Sequence, residues 1–69
     1  MPNSVYKVIE VIGSSPTSWE EAAELALQTA GETLRNLKVA EVTKQDLKIQ
    51  DGKVVAFRTR MSLSFKVLG

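Results

Sequence analysis

The 69-residue sequence contains no cysteine and no histidine, and these two absences exclude more function classes than any motif present. Without cysteine there is no disulfide to brace a small core, no thiol nucleophile and no thiolate metal site. Without histidine the commonest general base and the commonest zinc ligand are both missing. No apolar run approaches the roughly 18 residues a helix needs to cross a bilayer. Met1-Pro2-Asn3-Ser4 does not lead a basic segment into an apolar one, so neither a secretory signal nor a membrane partner is expected. A cysteine-free chain suits a reducing compartment, and a cytoplasmic location is the expectation. The formal net charge is only +1. That is too little for the usual electrostatic footprint of a nucleic-acid binder, so a basic-strand nucleic-acid scaffold is the weakest reading kept open.

The length permits one domain, residues 1–69, and sits where a single core is barely sufficient: about 60% of the unfolded surface is buried at this size. With disulfides and histidine-based zinc sites absent, self-association is the remaining supplement, and a homo-oligomer is expected. Charge is divided unevenly along the chain. Up to residue 34, Lys7 stands against Glu10, Glu20, Glu21, Glu24 and Glu32; beyond it eight bases stand against Glu41, Asp46 and Asp51. An acidic helix and a basic sheet would attract each other, within one subunit or between neighbours.

Val5 to Ile12 is rich in β-branched residues and is followed by Gly13-Ser14-Ser15-Pro16, which reads as a strand ending in a loop. Its apolar residues occupy both faces, Val5, Ile9 and Val11 against Tyr6, Val8 and Ile12, which points to burial on both sides. Ser18-Trp19-Glu20-Glu21 has the form of a helix capping box, and Trp19, Ala22, Ala23, Ala26, Ala30, Leu34 and Leu37 follow at helical spacing. The helix should run from Ser18 to about Asn36, about 28 Å at 1.5 Å per residue. Its alanine stripe, with Gly31 beside it, predicts unusually close packing. A second strand is expected from Lys38 to Gln50, a tight turn at Asp51-Gly52, and a third strand from Lys53 to Leu68. On the third strand Val55, Phe57, Met61, Leu63 and Phe65 share one face and Arg58, Arg60, Ser62, Ser64 and Lys66 the other. The fold class is therefore α+β: β-α-β-β, a three-stranded antiparallel sheet wrapped partly around one helix. In the second strand Val39, Leu47 and Ile49 fall out of phase with Ala40 and Val42. This calls either for a bulge near Lys44 to Asp46 or for cover by another subunit.

An enzymatic function has little support. Serine and threonine residues lack any context for activation, and Glu20, Glu21 and Glu24 are explained by their place at the helix start. Trp19 is either a stacking platform or, as its position in the stripe favours, an anchor for the helix; Tyr6, Phe57 and Phe65 look like core. Arg58 and Arg60 on one strand face suit either carboxylates of a neighbouring subunit or an anionic ligand.

Taken together, Val5-Tyr6-Lys7-Val8-Ile9-Glu10, Gly13 to Ala22, Thr33 to Leu37 and Asp51-Gly52-Lys53-Val54 resemble the dodecins over nearly the whole chain. The resemblance implies a hollow homododecamer of tetrahedral symmetry, sheets lining the interior and helices outward, that stores flavin as stacked pairs between subunits. It also exposes departures. Val39 stands where flavin-binding members carry a stacking tryptophan, Ala40 where an aromatic is common, Arg58 where a glutamine hydrogen-bonds the ring, and Asp46 where an arginine is usual. Val39-Ala40 and Gln45-Asp46 instead match a branch described as calcium-binding. The expectation is thus a non-enzymatic storage or binding shell for a small ligand or cation. Its ligand-binding candidates are Val39, Glu41, Gln45, Arg58 and Arg60, and its candidates for calcium or another divalent cation are Glu10, Glu41 and Asp46. Binding of riboflavin or flavin mononucleotide should be weak or absent, and flavin storage in a modified site is the alternative.

Overall fold

The computed structural model describes residues 3–33 and 36–68, without the side chains of Glu32, Thr33 and Leu68. Four elements follow in order: β1 (Val5–Ser15), α1 (Trp19–Thr33), β2 (Leu37–Gln50) and β3 (Lys53–Leu68). The three strands form one antiparallel sheet in the order β1-β3-β2, and α1 packs over β1 and β3. The expected β-α-β-β architecture is the one observed.

Strand β1 runs three residues past its expected end at Ile12, because Gly13, Ser14 and Ser15 keep pairing with Thr59, Arg58 and Phe57. Gly13 is therefore a strand residue, and it is where the helix comes closest. A Cβ there would lie 2.0 Å from the Ala22 carbonyl oxygen and 3.0 Å from the Ala26 Cβ. Gly31, where the sequence placed the close approach, has nothing within 4 Å of its own notional Cβ. The alanine stripe does face the sheet: Ala22 and Ala30 are buried, and Ala23 and Ala26 pack around them.

The serine half of the capping box forms at the start of α1, while its glutamate turns to a different donor. The Ser18 hydroxyl accepts from the Glu21 amide at 3.0 Å, and the Glu21 carboxylate takes the Ser15 hydroxyl at 2.9 Å. The helix is described to Thr33, and it has ended by Asn36, which lies in a turn. Leu34 lies outside the described residues, and Leu37 opens β2 while still packing on Ala30, Met61 and Leu63. Asn36 has φ 64°, a left-handed conformation that asparagine tolerates, and its carbonyl accepts from the Lys66 amide at 3.2 Å. Asp51 and Gly52 both take positive φ, as a tight hairpin turn requires.

The core is small. Its buried apolar side chains are Ala22, Ala30, Met61 and Leu63, with Thr59 buried beside them and donating to the Trp19 carbonyl at 2.9 Å. Phe57 and Phe65 are half-buried, but Tyr6 is exposed on the far face of β1 and is not part of the core. Along β2 every residue except Leu37 is exposed. The expected register reset is present, between Val42 and Lys44, with further shifts between Leu37 and Val39 and between Lys48 and Ile49. Paired residues of an antiparallel ladder share a face. The pairings of Ala40 with Leu63, Val42 with Met61 and Leu47 with Phe57 thus put all three on the helix side. Val39 and Ile49, opposite Ser64 and Val54, lie on the far side, so Leu47 does not group with them as its spacing suggested. The molecule is elongated, 54 × 20 × 14 Å with a radius of gyration of 14.4 Å. A compact domain of this length would have about 11 Å.

Candidate functional site

The face of the sheet turned away from α1 carries most of the residues singled out from the sequence, and the pairing register arranges them in rows. Ser14, Arg58 and Asp46 form one row, and Ile12, Arg60 and Lys44 the next. Glu10, Ser62 and Glu41 follow, and then Val8, Ser64 and Val39. The third row is the notable one: two carboxylates on the edge strands flank a hydroxyl on the central strand, with backbones about 10 Å apart at the usual strand spacing. Glu10 and Glu41 are exposed.

The other candidates do not join that row. Asp46 lies four β3 residues away, about 13 Å, and it is engaged. Its carboxylate accepts from Arg58 Nε at 2.6 Å and from Arg58 Nη2 at 2.8 Å, a two-pronged pair across adjacent strands. The hydrogen bond from Arg58 holds the Asp46 carboxyl below the usual carboxylate range, aided by the charges of Arg58, Arg60 and Lys44 and opposed by partial desolvation. The same pairing raises Arg58. Arg58 thus finds its carboxylate in its own sheet; neither a neighbouring subunit nor a ligand is needed to explain it. Gln45 pairs with Thr59 and so falls on the helix side, away from Val39, Glu41, Arg58 and Arg60. Val39 and Arg58 share a face but are separated by six residues along β3, about 20 Å, so one subunit does not unite them in a pocket.

Because the folded pKa of Asp46 is depressed, its contribution to stability is fully present above the unfolded pKa and disappears as pH falls through the folded one. Denaturant midpoints measured from pH 6 downward should therefore decline more steeply for the native chain than for Asp46→Asn. Parallel profiles would show that the exposed pair does nothing for stability.

Trp19 acts as an anchor. Its indole stands edge-on to Phe57 at 5.2 Å and 81°, and its Nε1 donates to the Asp46 carbonyl at 3.1 Å. The start of α1 is thereby tied to both β3 and β2. Among the described residues no three acidic side chains gather closely enough to hold a metal ion, and no helix is long and apolar enough to cross a membrane. The row of Glu10, Ser62 and Glu41 could not be read from the sequence, because the bulges in β2 decide which of its residues face Ser62.

Comparison with known proteins gives a consistent result. The family model described as Dodecin matches residues 5–68. Calcium dodecin from Mycobacterium tuberculosis is 44% identical over 64 residues, 93% of this chain and 90% of that protein. Its crystal structure, described as that of a calcium chelating antigen with a novel calcium-binding site, superposes with a TM-score of 0.83 at 46% identity, covering 93% of this chain and 91% of the other. Dodecin from Streptomyces coelicolor superposes with a TM-score of 0.90 at 36% identity, covering 100% of this chain and 99% of the other.

Proposed function

The chain belongs to the dodecin family, and from that footing we propose that it is a non-enzymatic, cytoplasmic homododecameric shell that binds and stores calcium or a similar divalent cation, with little affinity for flavin. The observation that carries this reading is the row on the open sheet face in which Glu10 and Glu41 flank Ser62. Calcium takes six to eight oxygen ligands at about 2.3–2.6 Å. Two carboxylates flanking a hydroxyl supply part of such a shell, and water or the same face of a second copy supplies the rest. The likeness to a calcium dodecin supports the choice of cation. Asp46 has no direct part, since Arg58 occupies it.

The test is a thermal melt of the assembled protein with and without calcium, after light scattering has confirmed a dodecamer's mass. At a hundredfold excess over Kd, binding to the folded state adds about 2.7 kcal/mol of stability, a shift of several degrees. Glu10→Gln and Glu41→Gln should each remove most of that shift, while Asp46→Asn should leave it intact. A melting temperature indifferent to millimolar calcium in the native protein would overturn the cation reading.

A further inference from the structure

We infer that Arg60 and Lys44 together form a binding site for a phosphate group, as the free ion or the end of a monoester, on the sheet face turned away from α1. The two residues are direct partners across β3 and β2, their backbones about 5 Å apart. Like charges placed opposite each other in an antiparallel ladder are destabilising. A local arrangement that opposes stability is commonest where function needs it. The pair stands in the row next to Glu10, Ser62 and Glu41, about 7 Å along β3. Phosphate there would supply the counter-charge that stored divalent cations call for. That consequence rests on the proposed function; the anion site itself does not.

A bulge in β2 creates the pair. In an unbroken ladder continued from Val42 and Met61, Thr43 would face Arg60, and Lys44 would fall opposite Thr59 on the helix side. The shift between Val42 and Lys44 instead turns Lys44 onto the face of Arg60, and bulges commonly re-aim a side chain in this way beside functional sites. The Thr43 hydroxyl fastens the bulge by donating to the Arg60 carbonyl at 3.2 Å. The same shift serves Asp46 and Leu47, which it delivers to Arg58 and Phe57. It leaves cations in excess, since Lys44, Lys48, Arg58 and Arg60 share this stretch of the face with Asp46. Both Asp46 oxygens are taken by Arg58, so Asp46 attracts Lys44 and Arg60 only at longer range. Among the described residues no carboxylate lies within 4 Å of either cation. Arg60 is half-buried, which limits its freedom, whereas Lys44 is exposed. A guanidinium offers a planar fork that fits two phosphate oxygens, and an ammonium adds a mobile point charge with three donors.

The test is made without calcium, at one fixed subunit concentration. Native protein should melt several degrees higher in saturating phosphate than in chloride of equal ionic strength, since chloride screens the two charges but cannot bridge them. Lys44→Gln and Arg60→Gln should each remove most of that difference. In phosphate-free buffer of low salt, Lys44→Gln should melt no lower than the native protein, because it dissolves a repulsive pair. Equilibrium dialysis with labelled phosphate reads binding directly, whatever the stability of a variant. There Asp46→Asn should bind several-fold more tightly than the native chain, having lost a neighbouring negative charge. Adenosine monophosphate, with adenosine as the control, separates the two sources of the group. A larger shift from the monophosphate than from inorganic phosphate assigns the site to monoesters, and an equal or smaller one assigns it to the free ion. Melts in both phosphate sources no higher than in chloride, with no phosphate retained on dialysis, would overturn the inference. So would retention that survives both glutamine substitutions. Such a failure leaves the cation reading intact, and a melt indifferent to calcium leaves the anion site intact.

Discussion

Gly13→Ala is expected to lower the melting temperature by at least about 10 °C, and Gly31→Ala to raise it. The added methyl at residue 13 would sit 2.0 Å from the Ala22 carbonyl oxygen and 2.8 Å from its carbon. Those atoms belong to the backbone of α1 and cannot swing aside as a side chain would, so the helix must lift off β1. Ala22, fully buried, and Ala26 then lose their contacts. Overpacking typically costs about 1–3 kcal/mol, and a backbone obstacle puts this site at the upper end. For a domain of this size 1 kcal/mol moves the melting temperature by about 4–8 °C. At residue 31 the methyl meets nothing within 4 Å. There only the helix preference acts, favouring alanine by about 1 kcal/mol. Melts at one fixed subunit concentration decide the matter, since assembly makes stability concentration-dependent. Gly13→Ala melting with the native protein would refute the close approach.

Flavin affinity should rise by orders of magnitude when the sheet face turned away from α1 is rebuilt around Val39. Stacking of a ring on an aromatic side chain contributes about 1–3 kcal/mol by analogy with bases. Two such contacts in a paired site amount to about 2–6 kcal/mol, or a factor of about 30 to 10⁴ in Kd. Native protein should therefore quench riboflavin or flavin mononucleotide fluorescence only weakly, and Val39→Trp with Arg58→Gln should restore measurable quenching. The pair at Asp46 and Arg58 adds a refinement. Arg58→Gln strips Asp46 of both its hydrogen bonds and leaves a bare carboxylate on the ligand face. Adding Asp46→Arg, which returns the residue the resemblance implies there, should improve binding further. Stoichiometric quenching by the native protein at micromolar flavin would instead show that it has built a different pocket, and flavin storage would become the better reading.

Element types and order were legible because they rest on local chemistry. Ser18 to Glu21 announces a helix start, Asp51-Gly52 a turn, and the alternation along β3 a strand with one buried face. Matters that depend on pairing were not legible. The phase of β2 looked contradictory until three shifts against β3 sorted Val42 and Leu47 from Val39 and Ile49. Gly13 resembled a loop residue because glycine next to two serines and a proline is ordinary turn composition; only the helix above it explains why a strand needs it. The candidate site divides in the same way. Glu10 and Glu41 are candidate cation ligands by residue type, but their placement astride Ser62 depends on register. Asp46 and Arg58 looked like two separate losses from a flavin site, whereas in space they are one coupled replacement.

The contacts of Trp19 make it a built-in optical reporter. It is the single tryptophan, and its indole touches Phe57 of β3 and the Asp46 carbonyl of β2 from the first turn of α1. Its emission therefore monitors the seam where the helix meets both arms of the hairpin, and it changes when any one of the three comes loose. The Glu10, Ser62 and Glu41 row lies on the opposite face of the sheet, about 13 Å along β3 from the Asp46 row. Occupancy of that row leaves the indole's immediate surroundings untouched. Tryptophan emission in the native chain thus separates unfolding of the subunit from events on the sheet face turned away from α1 without any added label.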